Sequence, residues 1–245
     1  MNIKFFQKGF NYSQDGPGNR LVYHLHGCNM RCPWCSNPEG MKLNKEYPAF
    51  PVTEVSVDAL FGEIMSCVPM FFDGGGVTFT GGEVTLQWQP LKLLLEKLKA
   101  AGINTAVETN ALLPSLCELL PCIDHLIMDL KSADDEKLFS VTGGRVEPII
   151  NNLSQAVILG VDTLVHVPLI HGFNDSEQDI DSLASVLFPF RDKIKIEFLL
   201  YHEYGKDKWK KCGLTYDMKD AHVSKECYRQ IVNKFKAVGF TVVRT

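Results

Sequence analysis

Short β-branched or apolar runs return along this chain at intervals, separated by stretches of helical spacing. That alternation restricts the fold more than any other feature of the sequence. Strand-like runs cover 20–26, 76–80, 103–108, 125–130, 161–169, 194–200 and 240–244. The spacing of apolar residues between them predicts helices over 53–67, 90–101, 133–141, 148–159, 175–187 and 224–238. Pro90 opens the second of these and Gly102 follows its end, the asymmetry expected of a helix. Strands joined through helices run parallel and connect by right-handed crossovers. Six strands before residue 201 are too few for a closed eight-stranded barrel, which leaves a six-unit open barrel or a doubly wound sheet. No linker or internal repeat divides the 245 residues, and 37–51 is the longest stretch without a regular pattern. The expectation from the pattern is one α/β domain over 1–245, with both architectures open at this point.

Composition narrows the function classes. A net charge of −4 offers no basic excess for a broad phosphate footprint, so nucleic acid is excluded as the main partner. No apolar run approaches the length of a membrane helix, and Lys4 and Lys8 interrupt the short start MNIKFF, which argues against a signal peptide. A cytoplasmic location follows as the expectation. Eight cysteines in such a setting read as metal ligands or thiols before disulfides.

Three of those cysteines, Cys28, Cys32 and Cys35, form C-x3-C-x2-C directly after the first expected strand. In parallel α/β folds, ligands bind at that end of the strands. Three thiolates suit three corners of a cubane iron–sulfur cluster and leave the fourth iron open, the mark of a catalytic rather than a closed structural site. The alternatives are zinc with His24 or His26 as fourth ligand, and plain buried thiols. Zinc sites, however, usually carry a second pair of ligands, and none follows here. Cys67, Cys117, Cys122, Cys212 and Cys227 are scattered and read as core cysteines.

Further stretches carry a resemblance. The cysteine motif followed by a strand ending in Gly81-Gly82-Glu83 resembles the radical S-adenosylmethionine (SAM) superfamily. Asp15-Gly16-Pro17-Gly18, the segment GGGVTFTGGE at 74–83, VETN at 107–110, Asp129-Leu130-Lys131, VPLIHGFND at 167–175 and the segment from Leu200 to Trp209 are similar to motifs of one branch. That branch is the activating enzymes of glycyl radical enzymes, of the pyruvate formate-lyase-activating type. The resemblance implies an incomplete barrel of the (β/α)6 type with one 4Fe–4S cluster on Cys28, Cys32 and Cys35 and SAM at its open iron. It implies that Trp34 and Ser36, beside Cys35, approach the adenine. Gly81 and Gly82 would let the backbone approach the methionine part, and Glu83 would accept a hydrogen bond from its ammonium group. Asp129, Leu130 and Lys131 would hold the ribose and the methionine carboxylate, and His202 would line the nucleoside pocket. Glu108, Thr109 and the carbonyl of Ile127 match a family site for a monovalent cation.

The departures are informative. Glu108 stands where the family has Asp, Ala111 replaces the glycine after the cation motif, and His171 replaces a proline. The cysteine-rich ferredoxin-like insert of larger relatives is absent, since the interval after the motif holds only Cys67. The implied activity is reductive cleavage of SAM to a 5′-deoxyadenosyl radical, which takes a hydrogen atom from a glycine of a partner glycyl radical enzyme. A flavodoxin or similar one-electron donor, oxygen sensitivity and a monomeric state go with it. The rivals are a radical enzyme acting on a small molecule, resembling 7-carboxy-7-deazaguanine synthases, and a non-catalytic metal or electron-carrying module.

Overall fold

Every strand-like run of the sequence becomes a strand of one sheet, and the chain order of the parallel strands is also their order in space. The computed structural model describes residues 1–41 and 49–244. The pattern-free stretch 37–51 lies partly outside them, at 42–48. The sheet runs β3 (Thr53–Ser56), β1 (Asn2–Tyr12), β2 (Asn19–Leu25), β4 (Gly76–Gly81), β5 (Thr105–Thr109), β6 (His125–Asp129), β7 (Asp162–Leu169), β8 (Ile194–Leu200), β9 (Thr241–Val242). All pairings from β2 through β9 are parallel. A doubly wound sheet would reverse its order part-way. No reversal occurs and β3 and β9 do not pair, so the sheet is an incomplete barrel.

The helices are α1 (Val57–Ser66), α2 (Trp88–Ala100), α3 (Asp135–Thr142), α4 (Val146–Ile158), α5 (Glu177–Leu187), α6 (Lys206–Lys211) and α7 (Lys225–Ala237). In α2 the buried residues Leu91, Leu94, Leu95 and Leu98 form one apolar stripe at helical spacing. Among the described residues no helix is long and apolar enough to cross a membrane.

Two expectations are corrected at the N-terminal edge. Residues 53–56 are not the first turn of a helix; they pair antiparallel with β1, and the helix begins after Ser56, whose side chain accepts from the amide of Ala59 at 3.2 Å. Residues 2–12, read only as a short interrupted start, form the long strand β1, antiparallel to β2. Ile3 and Phe5 alternate into the core there, while the two lysines point outward.

Alternation along the parallel strands separates two faces. Residues such as Tyr23, Phe79, Val107, Met128, Val167 and Phe198 join the apolar core. The opposite, inner face carries Arg20, Thr78, Thr80, Glu108, Asp129, His166 and Glu197 beside apolar Val22, Ala106 and Ile127. Arg20, fully buried, closes the end of the barrel remote from the strand C-termini. It donates to Thr78 Oγ1 at 2.7 Å, Val77 O at 2.8 Å, Asn104 Oδ1 at 2.8 Å and Pro17 O at 3.1 Å. Removing a buried donor leaves each acceptor unsatisfied at roughly 1–3 kcal/mol apiece. Arg20→Met is therefore expected to lower stability by about 3 kcal/mol or more, read as a shift in the urea midpoint at unchanged m-value.

Candidate active site at the C-terminal ends of the strands

The cysteine loop is seated by a contact between backbones. Gly82 N donates to Leu25 O at 2.9 Å and Glu83 N to Gly27 O at 2.6 Å, which joins the end of β4 to the end of β2. A Cβ on Gly82 would stand 2.1 Å from Gly27 O. A Cβ on Gly81, at φ +118°, would stand 2.4 Å from Leu25 N. Both glycines line the cleft, yet their absolute requirement comes from the chain's own backbone rather than from a ligand.

Cys28, Cys32 and Cys35 enter a cleft of about 230 Å³ bounded by the ends of the parallel strands. The amides of Met30 and Asn37 each donate to a sulfur, Cys28 Sγ and Cys35 Sγ, at 3.4 Å. Burial pushes the thiols up, that of Cys28 to about 12, so the pocket favours neutral sulfur until a metal supplies positive charge. Among the described residues, only Glu108, Asp129 and His166 bring three ligand atoms within 4.8 Å of one another. The three cysteine sulfurs do not all lie within 4.8 Å of one another.

The other expected residues divide into two groups. Trp34, Ser36, Asp129, Lys131 and His202 all line the cleft. Lys131, nearly buried, reaches Asp129 Oδ2 at 2.6 Å. Burial alone would lower its pKa, but Asp129 and the Cys32 and Cys28 sulfurs raise it. Trp34 packs on Phe173 with ring centroids 4.9 Å apart. The His202 ring is stacked on Tyr204 at 4.1 Å, and burial lowers its pKa, so it stays neutral near pH 7. Leu130 and Glu83 are buried outside the cleft lining. Strand alternation turns Leu130 into the core between Asp129 and Lys131. The Glu83 carboxylate is occupied by four donors of the chain itself. These are Thr85 N at 2.9 Å, Thr85 Oγ1 at 2.5 Å, Thr109 Oγ1 at 2.6 Å and Asn110 N at 2.8 Å. Glu83 thus ties the glycine turn to the end of β5.

Glu108 faces the barrel interior, accepts from Thr80 Oγ1 at 2.5 Å and lies 3.7 Å from His166 Nδ1. His166 Nε2 lies 3.4 Å from Glu197 Oε2. Burial opposes both charges, but the mutual attraction of His166 and Glu108 prevails. It holds Glu108 below the ordinary carboxylate range and His166 above the ordinary imidazole range.

Comparison with known proteins decides the family. The family model of the radical SAM superfamily matches residues 22–184. The chain belongs to the radical SAM superfamily. Radical SAM proteins use a 4Fe–4S cluster and SAM, and the cysteine loop and cleft described above suit both. A pyruvate formate-lyase-activating enzyme of Staphylococcus epidermidis is 32% identical over 231 residues, covering 89% of this chain and 90% of that protein. One from Staphylococcus aureus is 31% identical over 236 residues, covering 91% of this chain and 92% of that one. A crystal structure of a domain of pyruvate-formate lyase-activating enzyme from Bacteroides vulgatus superposes with a TM-score of 0.57 at 28% identity. It covers 69% of this chain and 98% of that one. Streptococcus suis SuiB, at 15% identity and a TM-score of 0.64 over 91% of this chain and 48% of that one, shares the radical SAM fold.

Sequence reasoning did not single out Asn110, which lines the cleft, nor His166 and Glu197, which lie on the inner face beside Glu108. Asn110 lines the cleft and donates to Asn29 Oδ1 at 2.7 Å, bracing the cysteine loop. His166 and Glu197 carried a legible signal, a charged residue in the middle of an apolar strand run. Gly82→Ala is expected to displace the cysteine loop. Reconstituted protein should then lose most of its iron and acid-labile sulfide while far-ultraviolet dichroism stays near wild type.

Proposed function

We propose that this protein is an activating enzyme for a glycyl radical enzyme of the pyruvate formate-lyase type. The observation that carries this reading is the pair of relatives bearing that name, at 31–32% identity over about nine-tenths of both chains, combined with a cleft that receives three spaced cysteines. Bound cluster and SAM would together supply one-electron cleavage of the sulfonium C5′–S bond, giving methionine and a 5′-deoxyadenosyl group that takes one hydrogen atom from a glycine α-carbon of the partner. Cys28, Cys32 and Cys35 would hold the cluster. Lys131, fixed by Asp129, would present a point charge to the methionine carboxylate. Asp129 would also serve the ribose, and Trp34, Ser36 and His202 would bound the nucleoside side. The chain's contribution is orientation within a water-poor cleft, since the chemistry belongs to the cofactor.

The expected monovalent cation fits this site poorly. Thr109 turns its hydroxyl to Glu83 rather than to Glu108, and Glu108 is already engaged by Thr80 and His166. No step is assigned to such an ion. The electron would come from a flavodoxin or similar one-electron donor. A monomer of one domain, 1–245, working in an anaerobic cytoplasm completes the reading. A small-molecule substrate is the disfavoured alternative.

The test is an anaerobic assay of reconstituted protein with SAM, a reductant and candidate glycyl radical enzymes. One equivalent of 5′-deoxyadenosine per glycyl radical, seen by electron paramagnetic resonance, is the expected outcome. 5′-Deoxyadenosine formed without a protein radical in any partner would point instead to a small-molecule substrate. Lys131→Met should raise the KM for SAM by about tenfold or more, corresponding to loss of one charge-assisted contact of ~1.5–3 kcal/mol.

A further inference from the structure

The segment VPLIHGFND at 167–175 lends the cleft lining only Pro168 and Ile170. Its proline interrupts the sheet. β6 and β7 pair as far as Asp129 and His166, and Leu130 N donates to His166 O at 2.9 Å. Pro168 has no N–H with which to continue that ladder. The side chain of Asn174, fully buried, spans the gap instead. Its Nδ2 donates to Pro168 O at 2.7 Å and to Lys131 O at 2.8 Å, and its Oδ1 accepts from Ile170 N at 2.8 Å. Both donor hydrogens of the amide are thus in use. The turn that starts at Ile170 closes on itself, with Phe173 N and Asn174 N donating to Ile170 O at 3.0 and 3.2 Å. Phe173 packs on Trp34 with ring centroids 4.9 Å apart. One side chain outside the cleft lining therefore ties the backbone of Lys131 to the turn that supports Trp34, and both of those residues line the cleft.

We propose that Asn174 is a positioning residue for SAM, fixing the spacing between the Lys131 charge and the aromatic wall at Trp34. The assignment rests on the reading of the cleft as a SAM site given above. SAM carries its carboxylate and its adenine on one molecule, so it engages Lys131 and Trp34 together only when their spacing matches its own. Two contacts made by one linked ligand reinforce each other, and the reinforcement is lost when geometry forbids simultaneous engagement. Sheet pairing with β7 stops short of Lys131, and the Asn174 amide supplies the tie that the ladder does not. Asn174 acts on the cofactor through Lys131 and the turn behind Trp34 and does not itself touch it.

The experiment measures the affinity of reconstituted holoenzyme for SAM, for methionine and for 5′-deoxyadenosine by equilibrium dialysis. The variant is Asn174→Leu, which keeps the side-chain volume and removes all three hydrogen bonds. It is expected to bind SAM about tenfold more weakly, a modest share of what linking two contacts contributes. Its affinity for each fragment alone, and its iron content, are expected to match the wild type, because spacing does not matter to a ligand that makes one contact. In Lys131→Met, where one of the two ends is already gone, adding Asn174→Leu is expected to cost SAM nothing further. Parallel losses for SAM and both fragments would mark a general structural role and overturn the assignment. So would undiminished SAM affinity in Asn174→Leu, or an equal cost with and without Lys131. Should Asn174→Leu not fold, Asn174→Asp keeps the outline and the acceptor for Ile170 and removes the amide donors. The wild type alone also tests the idea: SAM bound no more tightly than the better of its two fragments would overturn it without any variant. Binding of neither SAM nor the fragments by the wild type would defeat the cofactor reading itself, a result distinct from fragments that bind without mutual gain.

Discussion

The end of β4 meets the end of β2 so closely at Gly82 and Gly27 that no side chain fits between them. The whole cleft hangs on that meeting. The two backbone N–H to carbonyl hydrogen bonds it permits lead the chain straight from the sheet into the cysteine loop, with the loop backbone tied to a rigid strand. Glu83, the next residue, then uses the bonds from Thr109 Oγ1 and Asn110 N to tie the same turn to the end of β5, while Thr85 holds it within the turn. Three strand ends are locked in sequence, and the cysteines inherit their positions from the sheet. A catalytic loop on such a scaffold needs little ordering when its cofactor arrives.

The inner face of the sheet completes the picture. Barrel interiors are usually filled by branched apolar side chains. Here the inner positions carry opposite charges and hydroxyls, from Arg20 at the closed end to Glu108, Asp129 and His166 beneath the cleft. Buried charges persist only where they are paired and hydrogen-bonded. Arg20 bonds to Thr78 across β2 and β4, Thr80 to Glu108 across β4 and β5, and His166 lies 3.4 Å from Glu197 across β7 and β8, so the network depends on correct strand register. A register slip of one residue would move every charge to the helix-facing side. The network sits directly under the cleft and sets its field before any ligand binds, an arrangement suited to chemistry on a charged cofactor.

Much of this was readable beforehand because periodicity and local chemistry agree. Parallel strands buried on one face by helices leave strong apolar runs, and the cysteines, the glycine turn and the Asp129–Lys131 pair are contiguous motifs. The edge strands were harder. β1 buries only every second residue at one end, and Thr53–Ser56 has the composition of a helix cap as much as of a strand. Only pairing with a distant partner distinguishes the two. Glu83 shows a different limit: its motif predicts proximity to the cofactor, but which way the carboxylate turns depends on Thr85, Thr109 and Asn110. His166 and Glu197 were invisible as a unit because they are 31 residues apart and meet only through the β7–β8 register.

The carbonyl of Cys35 accepts from the indole of Trp209 at 2.8 Å, and Lys208 reaches Asn37 at 2.8 Å and the buried Glu39 at 2.7 Å. The outer wall of the cysteine loop is thus furnished by a segment synthesised more than 170 residues later. While the chain is still emerging from the ribosome, its first strands can form, but the third cysteine lacks its lid. The wall of the cysteine loop is complete only once Lys208 and Trp209 have been made and have folded onto it. A truncated chain that ends before α6 would retain all three cysteines and still present them on an unfinished wall.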